Sequence, residues 1–384
     1  MATPLSQVIA LLEELAPLRF AEAWDNVGLL VEPPKPRGVT RALLTIDLTE
    51  PVLEEALEAG AQLVVAYHPP LFKGMKRLTQ RTPGERVITR ALAEGIAIYS
   101  PHTALDAAPG GLNDWLCDLL GAHTRRPITQ RCELDAAQAL KLVTFVPQAE
   151  LDEVRVALAA AGAGHIGDYE ECAFISSGHG HFLPTAGADP HLGQVGQREL
   201  TPEQRLEVVC SRRALPHVAQ ALVDSHPYEE PAWDVYPLEP KPLQGTGAGR
   251  IAELTTPAEL PELVTRIKAG LGLHAVRVAT ASLHQEGAPI TRVAVCPGAG
   301  GSLFEALPPP SRGGPELYFT GEMRHHDVLG RVAEGASVVL CDHTNTERGY
   351  LPRLKSALEA RLSARGEQVS VHCSQRDQDP LEVV

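Results

Sequence analysis

The sequence predicts an α/β protein whose large domain, built on a mainly parallel sheet, is split into two halves by an inserted α+β module. Three observations carry that expectation. Strand-like apolar runs alternate with helical patterns across residues 41–100, the same alternation returns across residues 291–373, and between them, roughly over residues 136–240, the texture changes. Alternating β and α elements imply parallel strands with helices on the faces of the sheet. The expected bounds are 1–130 and 245–384 for the two halves of the large domain and 136–240 for the insert.

The elements follow in order. MATPLSQVIALLEELAPLRF has no cation before its apolar stretch and carries Glu13 and Glu14 inside it, so it reads as an amphipathic helix and not as a secretory signal. RALLTIDLT (41–49) is a buried strand; Thr49 is placed to cap a helix over 50–59, with Pro51 early in it and Gly60 closing it. LVVAY (63–67) is a second strand, residues 84–94 a helix, and IAIYS (96–100) a third strand. In the insert, KLVTFVP reads as a strand and LDEVRVALAAAG as a helix; a Gly-heavy stretch then leads to a strand, helix and strand series ending at AWDVYPL. Its hinges are expected near Pro127 and at residues 237–242. The second half supplies strands TRVAVC (291–296), ELYFT (316–320) and SVVLC (337–341), an edge strand VSVHC (369–373), and helices over 322–334 and 347–362.

Composition excludes several classes of function. With 34 basic and 48 acidic side chains the formal charge is −14, and no basic run offers the segregated face that phosphate-backbone binding needs, so nucleic acid is not an expected partner. The apolar runs are far shorter than the roughly 20 residues that span a bilayer. Seven cysteines, odd in number and without a C-x-x-C pair, indicate neither a disulfide framework nor a zinc knuckle, and a reducing cytoplasm is the expected location.

Four segments put metal-ligating side chains at or just beyond the C-terminal ends of the expected strands, where open α/β sheets present their sites. His68 follows LVVAY and is held by the turn that Pro69 and Pro70 impose. His102 and Asp106 follow IAIYS; imidazole and carboxylate together suit Zn, Mn, Fe or Co, although Asp106 can equally cap the helix of LNDWLCDLL. His343 and Glu347 follow SVVLC and share a face if a helix begins there, with capping by Thr344 or Asn345 as the plain alternative. After ELYFT come His325 and His326, which diverge by about 100° on a helix, so that one of them at most faces a given site. All four segments are expected at one edge of one sheet. CPGAGGSLFEAL (296–307) offers a Gly-rich turn that either holds an anion or is a tight structural turn, and Trp24-Asp25-Asn26-Val27-Gly28 reads either as a rim loop or as a plain turn with Asn26 and Gly28 supplying positive φ.

WDNVGLLV, LVVAYHPPLFKG, YSPHTALDAAPGGLNDWL, GAGGS, YFTGEMRHHD and DHTNTERG together resemble the Nif-three-like family of GTP cyclohydrolase 1 type 2 homologs. GAGHIGDYEECAF, GHGHF and HPYEEPAWDVYPL are similar to the additional domain of its longer bacterial members. The resemblance implies a ferredoxin-like, PII- or CutA-like insert, a homohexamer formed as a toroid of trimers, and a dinuclear divalent-metal centre. It places metal ligands at His68, Asp106, His343 and Glu347, with Glu347 bridging, and substrate-facing or proton-shuttling roles at His102 and His326. Tyr67 stands where the family's bacterial pattern has a histidine, and a phenol with a pKa of about 10 is a poor ligand near neutral pH. The activity implied is metal-assisted hydrolysis of a nucleotide or related small molecule. Rival expectations are phosphoester hydrolysis and a non-enzymatic, metal- or nucleotide-responsive regulator.

Overall fold

The computed structural model describes residues 2–35 and 38–382. The chain forms two compact units, one running to Arg131 and resuming at Leu243, the other Cys132–Pro242. In chain order the first passage through the large unit supplies β1 (Gly28–Val31), β2 (Arg41–Thr45), β3 (Leu63–Ala66), β4 (Ala97–Ser100), β5 (Ala122–Arg126) and β6 (Thr129–Glu133). The insert supplies β7 (Leu140–Val146), β8 (Ala173–Phe182), β9 (Glu199–Cys210) and β10 (Trp233–Pro237). The return brings β11 (Lys241–Ala248), β12 (Arg250–Ala258), β13 (Arg277–Ala279), β14 (Ile290–Ala299), β15 (Leu317–Glu322), β16 (Ser337–Leu340) and β17 (Ser370–Cys373).

The large unit holds two main sheets, not the single one expected. One has the order β1-β4-β3-β2-β17, the other β13-β16-β15-β14-β12-β5, and β6 pairs with β11 in a two-stranded ribbon. Their centres are parallel, as helical crossovers require: β2, β3 and β4 run together, and so do β14, β15 and β16. Antiparallel strands flank both, β1 on β4, β13 on β16, and β12 on β14 and β5. The halves are stitched together by β17, which leaves the second half to pair with β2 at the edge of the first sheet.

One core joins the two sheets. Leu44, Val65 and Tyr99 from the first and Val293, Phe319 and Val339 from the second are buried in a single cluster with the helices Leu5–Leu15, Leu112–Leu120, Leu260–Leu271 and Leu351–Ala364. Arg250, fully buried at the start of β12, donates from Nε to Asp114 Oδ1 at 2.6 Å and from Nη1 to both the Gly247 and Gly249 carbonyls. That buried pair ties β12 to the helix beneath it.

Several local expectations need correction. Thr49 sits at the N-cap of the helix Glu50–Glu58, but its side chain makes no capping bond. The helix expected over 347–362 is two, Asn345–Arg348 and Leu351–Ala364, because Pro352 cannot accept an interior position and instead begins the second. In the insert the Gly-heavy stretch contains a full strand, β8, paired with β9 from Ala173 opposite Val208 to Phe182 opposite Glu199. The sheet order is β10-β7-β9-β8, and with helices Leu151–Ala160 and Leu215–Ser225 the unit has the β-α-β-β-α-β chain order of ferredoxin-like folds. Both helices bury Val154, Leu158, Val218 and Leu222 against Leu142, Leu206 and Val208 on one sheet face.

Candidate metal centre

The C-terminal ends of strands from both main sheets bring the candidate ligands together. β3 is followed directly by Tyr67 and His68, and His68 is fixed by its backbone N–H on the Ile46 carbonyl at 3.0 Å. β16 ends before Cys341, after which Asp342 takes a left-handed φ of +64° that turns the chain and sets His343 ahead of the short helix carrying Glu347. His68, His343 and Glu347 each offer a donor atom, all within 4.8 Å of one another. Nε2 of His68 lies 3.3 Å from Oε2 of Glu347, and Nε2 of His343 lies 3.5 Å from Oε1.

The other nitrogen of each histidine faces a carboxylate. Asp47 Oδ1 is 2.9 Å from His68 Nδ1, and Glu322 Oε2 is 3.4 Å from His343 Nδ1. Carboxylates behind ligating histidines fix the ring and raise its basicity. Neither Asp47, inside the run read as a strand, nor Glu322, at the end of β15, was singled out by the sequence. Without a cation, burial opposes a charge on His68, but the carboxylates of Asp47 and Glu347 outweigh it and push the imidazole up to about 10.

Glu347 is 2 % exposed, and the nearest donor to its buried Oε2 is His68 Nε2 at 3.3 Å, which makes no well-formed hydrogen bond to it. A buried carboxylate oxygen without a well-formed hydrogen bond is costly unless a cation approaches it. Two imidazoles and one carboxylate oxygen form a donor set suited to a transition or zinc-like divalent ion. The structure therefore fits the group that the residues implied.

Asp106 is not within that triad. It lies in the helix His102–Ala107 and accepts the Tyr67 hydroxyl at 2.7 Å; burial pushes it up to about 6, against the opposing charge of His102 and the Tyr67 bond. It caps no helix, since Gly111 takes the N-cap of Leu112–Leu120. The Tyr67 phenol is held well above its ordinary pKa by burial and by Asp106, so it acts as a donor to that carboxylate. Cys296 lies close by, but burial holds its thiol protonated.

His102 belongs to the site. Its ring packs edge-on to Tyr67 and His68 at centroid distances of 5.4 and 5.5 Å, and Nδ1 is 2.8 Å from Asp25 Oδ1. Asp25, from the segment read as a rim loop, has a fully buried side chain whose second oxygen takes the Thr103 amide and hydroxyl, and these bonds and His102 hold its carboxyl low despite burial. In that loop Gly28 has the expected positive φ, whereas Asn26 does not. His326, the second residue of the helix His325–Ala333, is exposed, and its ring meets that of His325. Glu322, four residues before it, is the member of that motif that reaches the site.

The Gly-rich turn is structural. Gly298 N–H donates to Thr346 Oγ1 at 2.8 Å and Gly300 N–H to Thr320 Oγ1 at 3.0 Å, so these donors are not free for an anion. At Gly298, with φ +57°, a Cβ would lie 2.8 Å from both Glu347 Oε1 and His343 Nε2. Thr344, at the N-cap of the Glu347 helix, gives its hydroxyl to Asp379 and not to the helix.

A family model for Duf34/NIF3 (NGG1p interacting factor 3) matches residues 3–380. The chain is 38% identical over 381 residues to NIF3-like protein 1 of Bos taurus, covering 99% of this chain and 92% of that protein. It is 35% identical over 333 residues to the GTP cyclohydrolase 1 type 2 homolog of Bacillus subtilis, covering 87% and 86%. The crystal structure of a Bacillus cereus protein related to NIF3 superposes with a TM-score of 0.66 at 32% identity, covering 99% of this chain and 98% of the other. A Staphylococcus aureus crystal structure shares the fold at a TM-score of 0.76 and 24% identity, over 100% and 99%. Matched over nearly its full length by the family model and by these relatives, the chain belongs to the Duf34/NIF3 family.

Proposed function

We propose that this protein is a divalent-metal-dependent hydrolase acting on a nucleotide or related small molecule, with His68, His343 and Glu347 holding the cation. The observation that carries the reading is Glu347, a buried carboxylate whose two oxygens face the Nε2 atoms of His68 and His343 at 3.3 and 3.5 Å, each imidazole backed in turn by Asp47 or Glu322. A dinuclear centre would draw on Asp106 as well, although Tyr67 occupies one of its oxygens. A bound cation would supply Lewis-acid polarisation of a water molecule or a substrate oxygen.

The chain's own groups supply the rest. Asp25 accepts from Nδ1 of His102, which leaves Nε2 as the basic nitrogen able to take and return a proton beside the site. Trp24 and Phe72, exposed and packed edge-on at 6.0 Å, form an aromatic corner that also meets His102, a surface suited to a planar base. The acidic charge of the chain disfavours a bare triphosphate, so a nucleotide would be held chiefly by the metal and this corner. The proposal extends to a homohexameric assembly and a PII- or CutA-like insert, the latter supported by its β-α-β-β-α-β order.

The test is turnover by metal-loaded protein against a nucleotide panel beside Glu347→Gln. Formate released from GTP supports opening of the guanine ring, and phosphate release supports phosphoester hydrolysis; both should vanish with Glu347→Gln. Stoichiometric metal in wild type without turnover of any nucleotide would overturn the enzymatic reading, and equal metal content in wild type and variant would overturn the site.

A further inference from the structure

We propose that the inserted unit contains a second binding site, separate from the metal centre, for an organic cation of the aryl- or alkylammonium class. A cavity of about 700 Å³ lies wholly within residues of this unit, a volume typical of small-molecule sites. It occupies the sheet face opposite the two helices. The ladder sets Phe145 opposite Arg205, Glu203 opposite Gly178, and Gly180 and Phe182 opposite Thr201 and Glu199, while the alternate residues Leu142, Leu206 and Val208 form the helix-covered core.

Glu203 is the feature that selects the ligand. It is only 7 % exposed, its Oε1 accepts the Tyr228 hydroxyl at 2.8 Å, and among the described residues no donor reaches Oε2. That oxygen lies over Gly180, where a Cβ would come within 2.3 Å of it, so the glycine in β8 makes room for the carboxylate. The nearest lining guanidinium does not neutralise it: Arg205 Nε is committed to Glu207 at 2.7 Å, and Glu207 also takes Lys141. Glu229 and Glu230 add negative charge at the rim, and Glu229 accepts the Asp189 amide.

The walls are aromatic. Tyr228 is 6.3 Å from Phe182 by ring centroids and 5.0 Å from His226, which is buried and bonded to the Phe145 carbonyl. Rings around a buried carboxylate attract a desolvated organic cation through the ring quadrupole and direct charge pairing. A bare metal ion fits less well, because the His68, His343 and Glu347 group is the one convergent set of three metal-ligating side chains among the described residues.

The experiment is titration calorimetry of the full-length protein with benzyltrimethylammonium, and with phenylacetate as the probe of opposite charge. Wild type should bind the ammonium saturably, one per chain, and phenylacetate not at all. Glu203→Gln should weaken binding by about tenfold or more, and Phe182→Leu by several-fold, with metal content unchanged in both. Absent ammonium binding, equal binding of phenylacetate, or undiminished affinity in both variants would overturn the proposal. If Glu203→Gln fails to fold by circular dichroism, Phe182→Leu decides alone. Because metal content and nucleotide turnover are read separately, failure here leaves the metal-centre reading untouched.

Discussion

Gly298 shows how much of the site depends on a side chain that is absent. Its φ of +57° and the 2.8 Å approach of a would-be Cβ to Glu347 Oε1 and His343 Nε2 leave room only for hydrogen. Gly298→Ala should destabilise the protein by about 1–2 kcal/mol through the left-handed backbone and displace the ligands, which thermal unfolding and metal analysis would register together. Asp47→Asn acts differently, keeping the shape behind His68 while removing the charge. It should weaken metal affinity by about 10- to 100-fold at full occupancy under saturating metal, as competition with a chelator would show. At this scale the sequence was partly legible. His68, His343, Glu347 and His102 were marked by their position after apolar runs, whereas Asp47 and Asp25 were not, because a carboxylate in a strand or turn acquires its role only from the imidazole that folding brings to it.

At the scale of elements, alternation and strand composition were strong signals in the parallel core, where four-residue runs such as those of β3 and β16 are buried throughout. They failed where local chemistry opposed tertiary pairing. β8 contains Gly178 and Gly180, residues that ordinarily weaken a strand, yet ten residues pair with β9, and Gly180 makes the space that Glu203 fills. The join between β12 and the helix Leu112–Leu120 was equally hidden, since Arg250 and Asp114 are 136 positions apart. Arg250→Ala would leave Asp114 buried without its main partner and should cost about 3–5 kcal/mol, measurable by urea denaturation.

For the whole molecule, every proposed metal ligand lies in the large unit, and the chain leaves and re-enters that unit through the paired strands β6 and β11. Replacing residues 132–242 with a short linker should therefore preserve metal stoichiometry while abolishing benzyltrimethylammonium binding; metal loss in the deletion would contradict a self-contained centre. The sequence by itself determined the α/β class and the alternation of strands and helices before and after residues 136–240, because burial imposes its period on local composition. Only the tertiary structure decided that two sheets, and not one, converge on the site, that β17 closes the first sheet, that Asp106 accepts the Tyr67 hydroxyl beside the triad and that His326 is exposed. Those outcomes depend on distances between residues remote in sequence, which periodicity does not encode.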